Sequence, residues 1–101
     1  MGLSTATHRA DSHLIIALDE KFDFATVHDF KEAYTDIPSA VKVIEVDLSN
    51  TEYMDSSALG MLLNMQKNLS GREIEFRISH CRPQVARILK ISRFDKKFII
   101  S

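Results

Sequence analysis

The sequence predicts an α/β fold, a mostly parallel or mixed sheet of four to five strands with about three helices packed on it. Two observations carry this. Short runs rich in β-branched residues alternate with longer segments of helical periodicity along the whole chain. The spacing between those runs also leaves room for the crossover helix that parallel neighbours require. With 101 residues, three Gly and two Pro, the chain reads as one domain with short loops. Residues 13–101 form that domain, and residues 1–12 are a flexible N-terminal segment or an edge strand.

"HLIIAL" (His13 to Leu18) is a short apolar run and reads as a buried strand. "DEKFD" follows as a polar turn, with Asp23 as N-cap of a first helix. In that helix Val27, Phe30, Tyr34 and Ile37 form one apolar stripe, and Pro38 marks its end. "VKVIEVDL" (Val41 to Leu48) is the best strand, with Lys42, Ile44, Val46 and Leu48 on its helix-packed face. "SNTEYMD" reads as a loop. A second helix runs from about Ser56 to Leu69, with Leu59, Leu62, Leu63 and Leu69 facing inward. Gly71 is the residue expected to stop it in the left-handed conformation.

"REIEFRIS" alternates cleanly, placing Ile74, Phe76 and Ile78 on one face of a half-buried strand. "HCRPQVARILKIS" is a third helix with Pro83 at its first position and Val85, Ile88, Leu89 and Ile91 as its core stripe. "KKFIIS" is a short closing strand.

Composition narrows the function. The net charge is −1 with no basic stripe, so neither nucleic acid nor a membrane is an expected partner. A single cysteine, Cys81, allows no disulfide within the chain and fits a cytoplasmic protein. The N-terminus lacks the apolar core of a secretory signal. Ala6 stands where a myristoylation signal has Ser or Thr. The longest apolar runs fall far short of the ~20 residues that span a bilayer.

The segment "DLSNTEYMDSS" joins the C-terminal end of the most hydrophobic strand to a helix. Such junctions are the working edge of open α/β sheets. The elbow Gly-x-Ser-x-Gly is absent around Ser56 and Ser57, and none of the four histidines has a spacing that pairs it with Ser56. His8 falls in the N-terminal segment, His13 starts a strand and His28 sits on the first helix. No phosphate-binding Gly-x-x-x-x-Gly-Lys occurs. His80 and Cys81 lack a second metal-ligating pair. No enzyme, cofactor or metal is therefore expected. An Asp or Ser before a helix is commonly only a cap, yet "MDSS" offers Asp55, Ser56 and Ser57 where one cap suffices. A phosphate on a hydroxyl here would meet exposed N–H groups and the positive end of the helix dipole. The same charge would disrupt a partner docked on that surface. Met61 and Met65 are expected on a flank away from the Leu stripe, where flexible thioethers suit docking; ordinary core filling is the equally weighted alternative.

"VIEVDLSNTEYMDSSALGMLL" resembles the signature of STAS domains, in particular the bacterial anti-sigma factor antagonists (anti-anti-sigma factors). The matching elements are a hydrophobic strand ending in Asp-Leu, a loop, an apolar residue, Asp-Ser-Ser, and a helix. "FDFATVHDFKEAY", introduced by the acidic turn with Asp23, is similar to the family's first helix. The resemblance spans about residues 13 to 100. It implies that Ser56 is the phosphorylated residue, with Asp55 and Ser57 supporting it. The expected partner-binding residues are Asp23, Met54, Asp55, Ser56, Ser57, Ala58, Met61 and Met65.

The resemblance also implies partner switching. The unmodified protein binds an anti-sigma factor or serine kinase with a histidine-kinase-like ATP fold, or another regulatory target. Phosphorylation releases the partner, and a PP2C-type phosphatase restores binding. Transcription, motility and biofilm are the outputs such proteins control. An alternative is a constitutive STAS subunit of a lipid-transport ABC complex, and a third reading, with no motif behind it, is a nucleotide or lipid sensor. Ala58 stands where the family often has Gly. The sequence ends just after "FII", where the resemblance implies a further helix, so a normally covered surface is expected to be open.

Overall fold

The structure, a computed structural model, describes residues 3–8, 12–35 and 37–100, the first of these stretches as backbone only. Residues 1, 2, 9–11, 36 and 101 lie outside the described residues. The strands are β1 (Leu3–His8), β2 (His13–Leu18), β3 (Lys21–Phe22), β4 (Val43–Asp47), β5 (Tyr53–Met54), β6 (Glu75–Ser79) and β7 (Ile99–Ile100). The α-helices are α1 (Val27–Thr35), α2 (Ser56–Asn68) and α3 (Pro83–Ile91). One-turn 3-10 segments, Phe24–Thr26 and Phe94–Lys96, precede α1 and β7.

The main sheet has five strands in the order β1-β2-β4-β6-β7. β1 pairs antiparallel with β2, so His8, assigned to the tail by sequence, lies opposite His13. All other pairs in the sheet are parallel. Each strand from β2 onward is added on the same side of the last, and each addition passes through one helix. Right-handed crossovers then put all three helices on one face of the sheet.

Burial follows that geometry. Leu14, Ile16, Leu18, Ile44, Val46 and Ile78 point into the core, while Ile15, Ala17, Val43, Glu45 and Asp47 on the opposite face are half-buried. Glu45 makes the polar centre of that second face. One carboxylate oxygen lies 3.0 Å from His13 Nε2, and the other accepts a hydrogen bond from Ser79 Oγ at 2.5 Å.

Several expectations shift where packing overrides periodicity. Val27 and Leu63 are exposed, as is Ile91 at the end of α3. Their apolar stripes are narrower than the sequence suggested, because the sheet covers each short helix over a limited arc. Val41 is buried although it precedes β4. Gly71 does not adopt a left-handed conformation; α2 ends through Leu69, whose N–H donates to Met65 and Lys67 carbonyls.

Candidate functional site

The C-terminal edge of the parallel strands is built by a second, two-stranded parallel ribbon, in which Lys21 pairs with Tyr53 and Phe22 with Met54. The sequence showed only a turn and a loop there, because two-residue strands carry no periodicity. Thr51, fully buried, donates its hydroxyl to the Asp19 carbonyl at 2.9 Å, and Glu52 N–H donates to the Glu20 carbonyl at 2.8 Å. These bonds tie the loop after β4 to the loop after β2. They satisfy buried polar groups that would otherwise cost about 1–3 kcal/mol each.

The ribbon delivers its two strands to two helix starts. Asp23 Oδ1 accepts from Ala25 N at 3.1 Å and begins the 3-10 turn that leads into α1. Asp55 Oδ1 accepts from Ala58 N at 3.2 Å and caps α2. Both caps are extended in backbone, as N-caps require.

Ser56 is the first residue of α2 and is exposed; Ser57 is half-buried. Neither hydroxyl hydrogen-bonds to the protein among the described residues. Asp55 alone therefore does the capping, and Ser56 presents a free hydroxyl at the positive end of a 13-residue helix.

The remaining sequence-predicted partner residues divide sharply. Asp23 and Asp55 are half-buried caps. Met54, Ala58, Met61 and Met65 are buried at 4%, 0%, 6% and 0% exposure. The expectation that Met61 and Met65 lie on an outer flank is corrected: they fill the core of the helix layer, and none of these four side chains presents a docking surface. Too many apolar residues crowd Ala58–Met65 for one stripe to be chosen from spacing alone. Packing of α1 against α2, where Asn68 Nδ2 donates to Tyr34 Oη at 3.2 Å, turns the methionines inward.

Other residues are exposed near the site. Phe24 is 72% exposed and Tyr53 50%. Each is a sequence neighbour of a cap, Phe24 after Asp23 and Tyr53 two residues before Asp55. Val27 and Asn64, both exposed, meet over the buried Met61 where the two helices converge. A surface groove of about 830 Å³ is lined by Asp19, Glu20, Asp23, Asp29, Lys21 and Asn50, among others. Four carboxylates against the single cation Lys21 give the groove a net acidic lining. The signal available in the sequence for Phe24 and Tyr53 was an aromatic close to a capping aspartate and outside the apolar stripes of the helices.

Farther along the same edge, His80 takes a left-handed backbone (φ 58°) after β6, with Nδ1 3.4 Å from Asp47 Oδ1. Arg82 donates to the Ser49 carbonyl at 3.2 Å, joining the start of α3 to the loop after β4. Cys81 is half-buried, and burial pushes its thiol up. Among the described residues no cluster of His, Cys, Asp and Glu has the arrangement of a metal site, and no helix is long and apolar enough to cross a membrane.

A profile of the STAS domain matches residues 4–101. A STAS-domain containing protein of Pseudomonas aeruginosa (strain UCBPP-PA14) is 40% identical over 98 residues, covering 96% of this chain and 97% of that protein. Among solved structures, a putative anti-sigma factor antagonist from Thermotoga maritima superposes with TM-score 0.80 at 22% identity, over 97% of this chain and 84% of that one. An anti-sigma factor antagonist from Mycobacterium paratuberculosis gives 0.77 at 22% identity, with the same coverage of 97% and 84%. A sulfate transporter family protein from Wolinella succinogenes gives 0.75 at 16% identity, over 85% and 70%. These likenesses establish a shared fold.

Proposed function

The chain belongs to the STAS domain family, and on that premise we propose that it is a phosphorylation-controlled partner switch of the anti-sigma factor antagonist kind. One observation carries the reading: Ser56 is exposed, its hydroxyl is unengaged, and it opens α2 directly after the capping Asp55. An acceptor serine needs that accessibility, and its phosphate gains from the helix N-terminus. The domain's own packing does not use the hydroxyl, so modification leaves the fold in place. Unmodified, the protein binds an anti-sigma factor or serine kinase, with the exposed Phe24, Val27, Tyr53 and Leu63 as apolar contacts. A phosphate adds ~1.5–2 negative charges to an edge already lined by Asp19, Glu20, Asp23 and Asp29, and the partner leaves. A PP2C-type phosphatase resets the switch. ATP and metal belong to those partners, and transcription, motility and biofilm are the outputs such a switch serves.

The test is direct. The protein is incubated with a serine kinase encoded beside it and ATP, and phosphate is mapped by mass spectrometry. Phosphate on Ser56 is expected; no phosphate, or phosphate on Ser57 alone, overturns the assignment. In pull-downs Ser56→Ala should keep the partner and Ser56→Asp should lose it.

The fold shared with a sulfate transporter family protein favours one second reading, a constitutive STAS subunit of a transport complex such as a lipid ABC transporter. That subunit would copurify with its complex equally well as Ser56→Ala or Ser56→Asp.

A further inference from the structure

Charge is segregated along this chain. Residues 1–55 carry eleven Asp/Glu and four Lys/Arg, whereas residues 56–101 carry three and nine. The fold turns that asymmetry into two ends. Asp19, Glu20, Asp23, Glu52 and Asp55 follow strand C-termini or begin helices, beside Ser56. Lys90, Arg93, Lys96 and Lys97 lie at the end of α3 or just before β7, at the opposite edge of the sheet. Glu75 opens β6 at that edge, with Glu73 just before it, and Glu75 and Asp95 line a hollow with Lys96 and Lys97, so the basic excess is concentrated on α3 and the turn after it. Helix dipoles account for part of this, since they favour acids at N-termini and bases at C-termini. One cation per helix end satisfies that preference, Lys67 in α2 and Lys90 in α3.

The cations on and after α3 exceed it. Val85 and Leu89 turn one face of α3 into the core. At 100° per residue, Arg87, Lys90 and Ile91 fall on the opposite face, and all three are exposed, Ile91 at 74%. Arg93 follows in a left-handed conformation, φ 61°, and the 3-10 turn carrying Lys96 packs back against α3. Among the described residues none of Arg87, Lys90, Arg93 and Lys96 has an ion-pair or hydrogen-bond partner through its side chain. Arg72 and Arg82, by contrast, are engaged with backbone carbonyls. Asp95 is the lone acid in the segment from Arg82 to Lys97.

We propose that the outer face of α3, with Arg87, Lys90, Arg93 and Lys96 around the exposed Ile91, is a second docking surface for an acidic protein segment that carries an apolar anchor. Charge complementarity selects the occupant: unpaired cations steer and orient an acidic partner, and Ile91 supplies the desolvated centre. Nucleic acid fits less well, because the patch lacks an exposed aromatic on which bases stack and the acidic end repels a long polyanion. A membrane fits less well, because one isoleucine is a small insertion. The surface lies at the far end of α3 from Ser56, so both partners can be held at once. This inference does not rest on Ser56 being phosphorylated.

The test places a benzophenone amino acid at position 91 of the full chain, crosslinks in the source cells, and identifies adducts by mass spectrometry. The expected result is a protein adduct mapping to a segment with excess Asp and Glu. That protein, purified, should lose at least tenfold in affinity for Arg87→Glu/Lys90→Glu and for Ile91→Ser. Its affinity should change less than twofold for Ser56→Asp, with circular dichroism of every variant unchanged. An adduct to nucleic acid, to lipid or to a second copy of this chain overturns the proposal. So does an adduct in a neutral or basic segment, affinity indifferent to the charge reversal, or no adduct.

Discussion

Asp23 and Asp55 are paired helix caps: each directly follows one strand of the parallel β3–β5 ribbon, one step beyond the Phe22–Met54 pair, and each accepts a backbone N–H of the helical segment it opens. The ribbon therefore sets two helix N-termini side by side and places Ser56 at one of them. Position and capping are handled by aspartates, which leaves the serine hydroxyl unused by the fold.

That division of labour can be measured. Asp55→Ala should cost about 1 kcal/mol of stability, the usual loss on removing an N-cap. Ser56→Ala should stay within about 0.5 kcal/mol, as surface changes without a lost partner do. Urea denaturation of the two variants decides it; equal losses would mean that Ser56 shares the cap.

Met61 and Met65 should behave as core. Truncation of either to Ala should cost about 2–5 kcal/mol, while Leu at the same positions costs less than about 1.5 kcal/mol. A Met65→Ala protein of normal stability and lost binding would return these residues to the docking surface.

Gly60 sits exposed inside α2, and a Cβ added there meets nothing within 4 Å. Gly60→Ala should therefore raise stability by about 0.5–1 kcal/mol through helix propensity alone. Thermal melts test this. If a partner approaches the helix backbone closely at that point, its affinity falls in the same variant while the melting temperature rises.

Phe24 and Tyr53 supply the opposite pattern. Both side chains are largely outside the core, so Phe24→Ser and Tyr53→Ser should change stability by no more than about 0.5 kcal/mol. Exposed aromatics at a docking centre commonly carry a large share of the binding energy, about 2 kcal/mol or more when removed. Calorimetric titration with the partner of Ser56 should show that loss; unchanged affinity in both would move the interface elsewhere.

Cys81 should react slowly. Burial raises its thiol, so at neutral pH it holds less thiolate than a free cysteine, and thiolate is the reacting species. Alkylation by iodoacetamide should be slower than for an unstructured cysteine peptide and should accelerate as pH rises through the alkaline range.

The sequence by itself determined the alternation of strands and helices, the alternating faces of β4 and β6, and the position of Ser56 at a strand-to-helix junction. Those features depend on local signals: period-two or period-3.6 burial, a capping aspartate, a proline at a helix start. Only the tertiary structure decided which residues around Ser56 are surface. The β3–β5 ribbon has two residues per strand and no periodicity to read. The apolar run from Ala58 to Met65 fits more than one helical face, and contact with α1 and the sheet selects the one that buries the methionines. The left-handed turns at His80 and Arg93 carry no glycine to announce them. The opposed acidic and basic ends belong to the fold as well, because parallel strands with helices returning on one face gather residues distant in sequence onto the same edge.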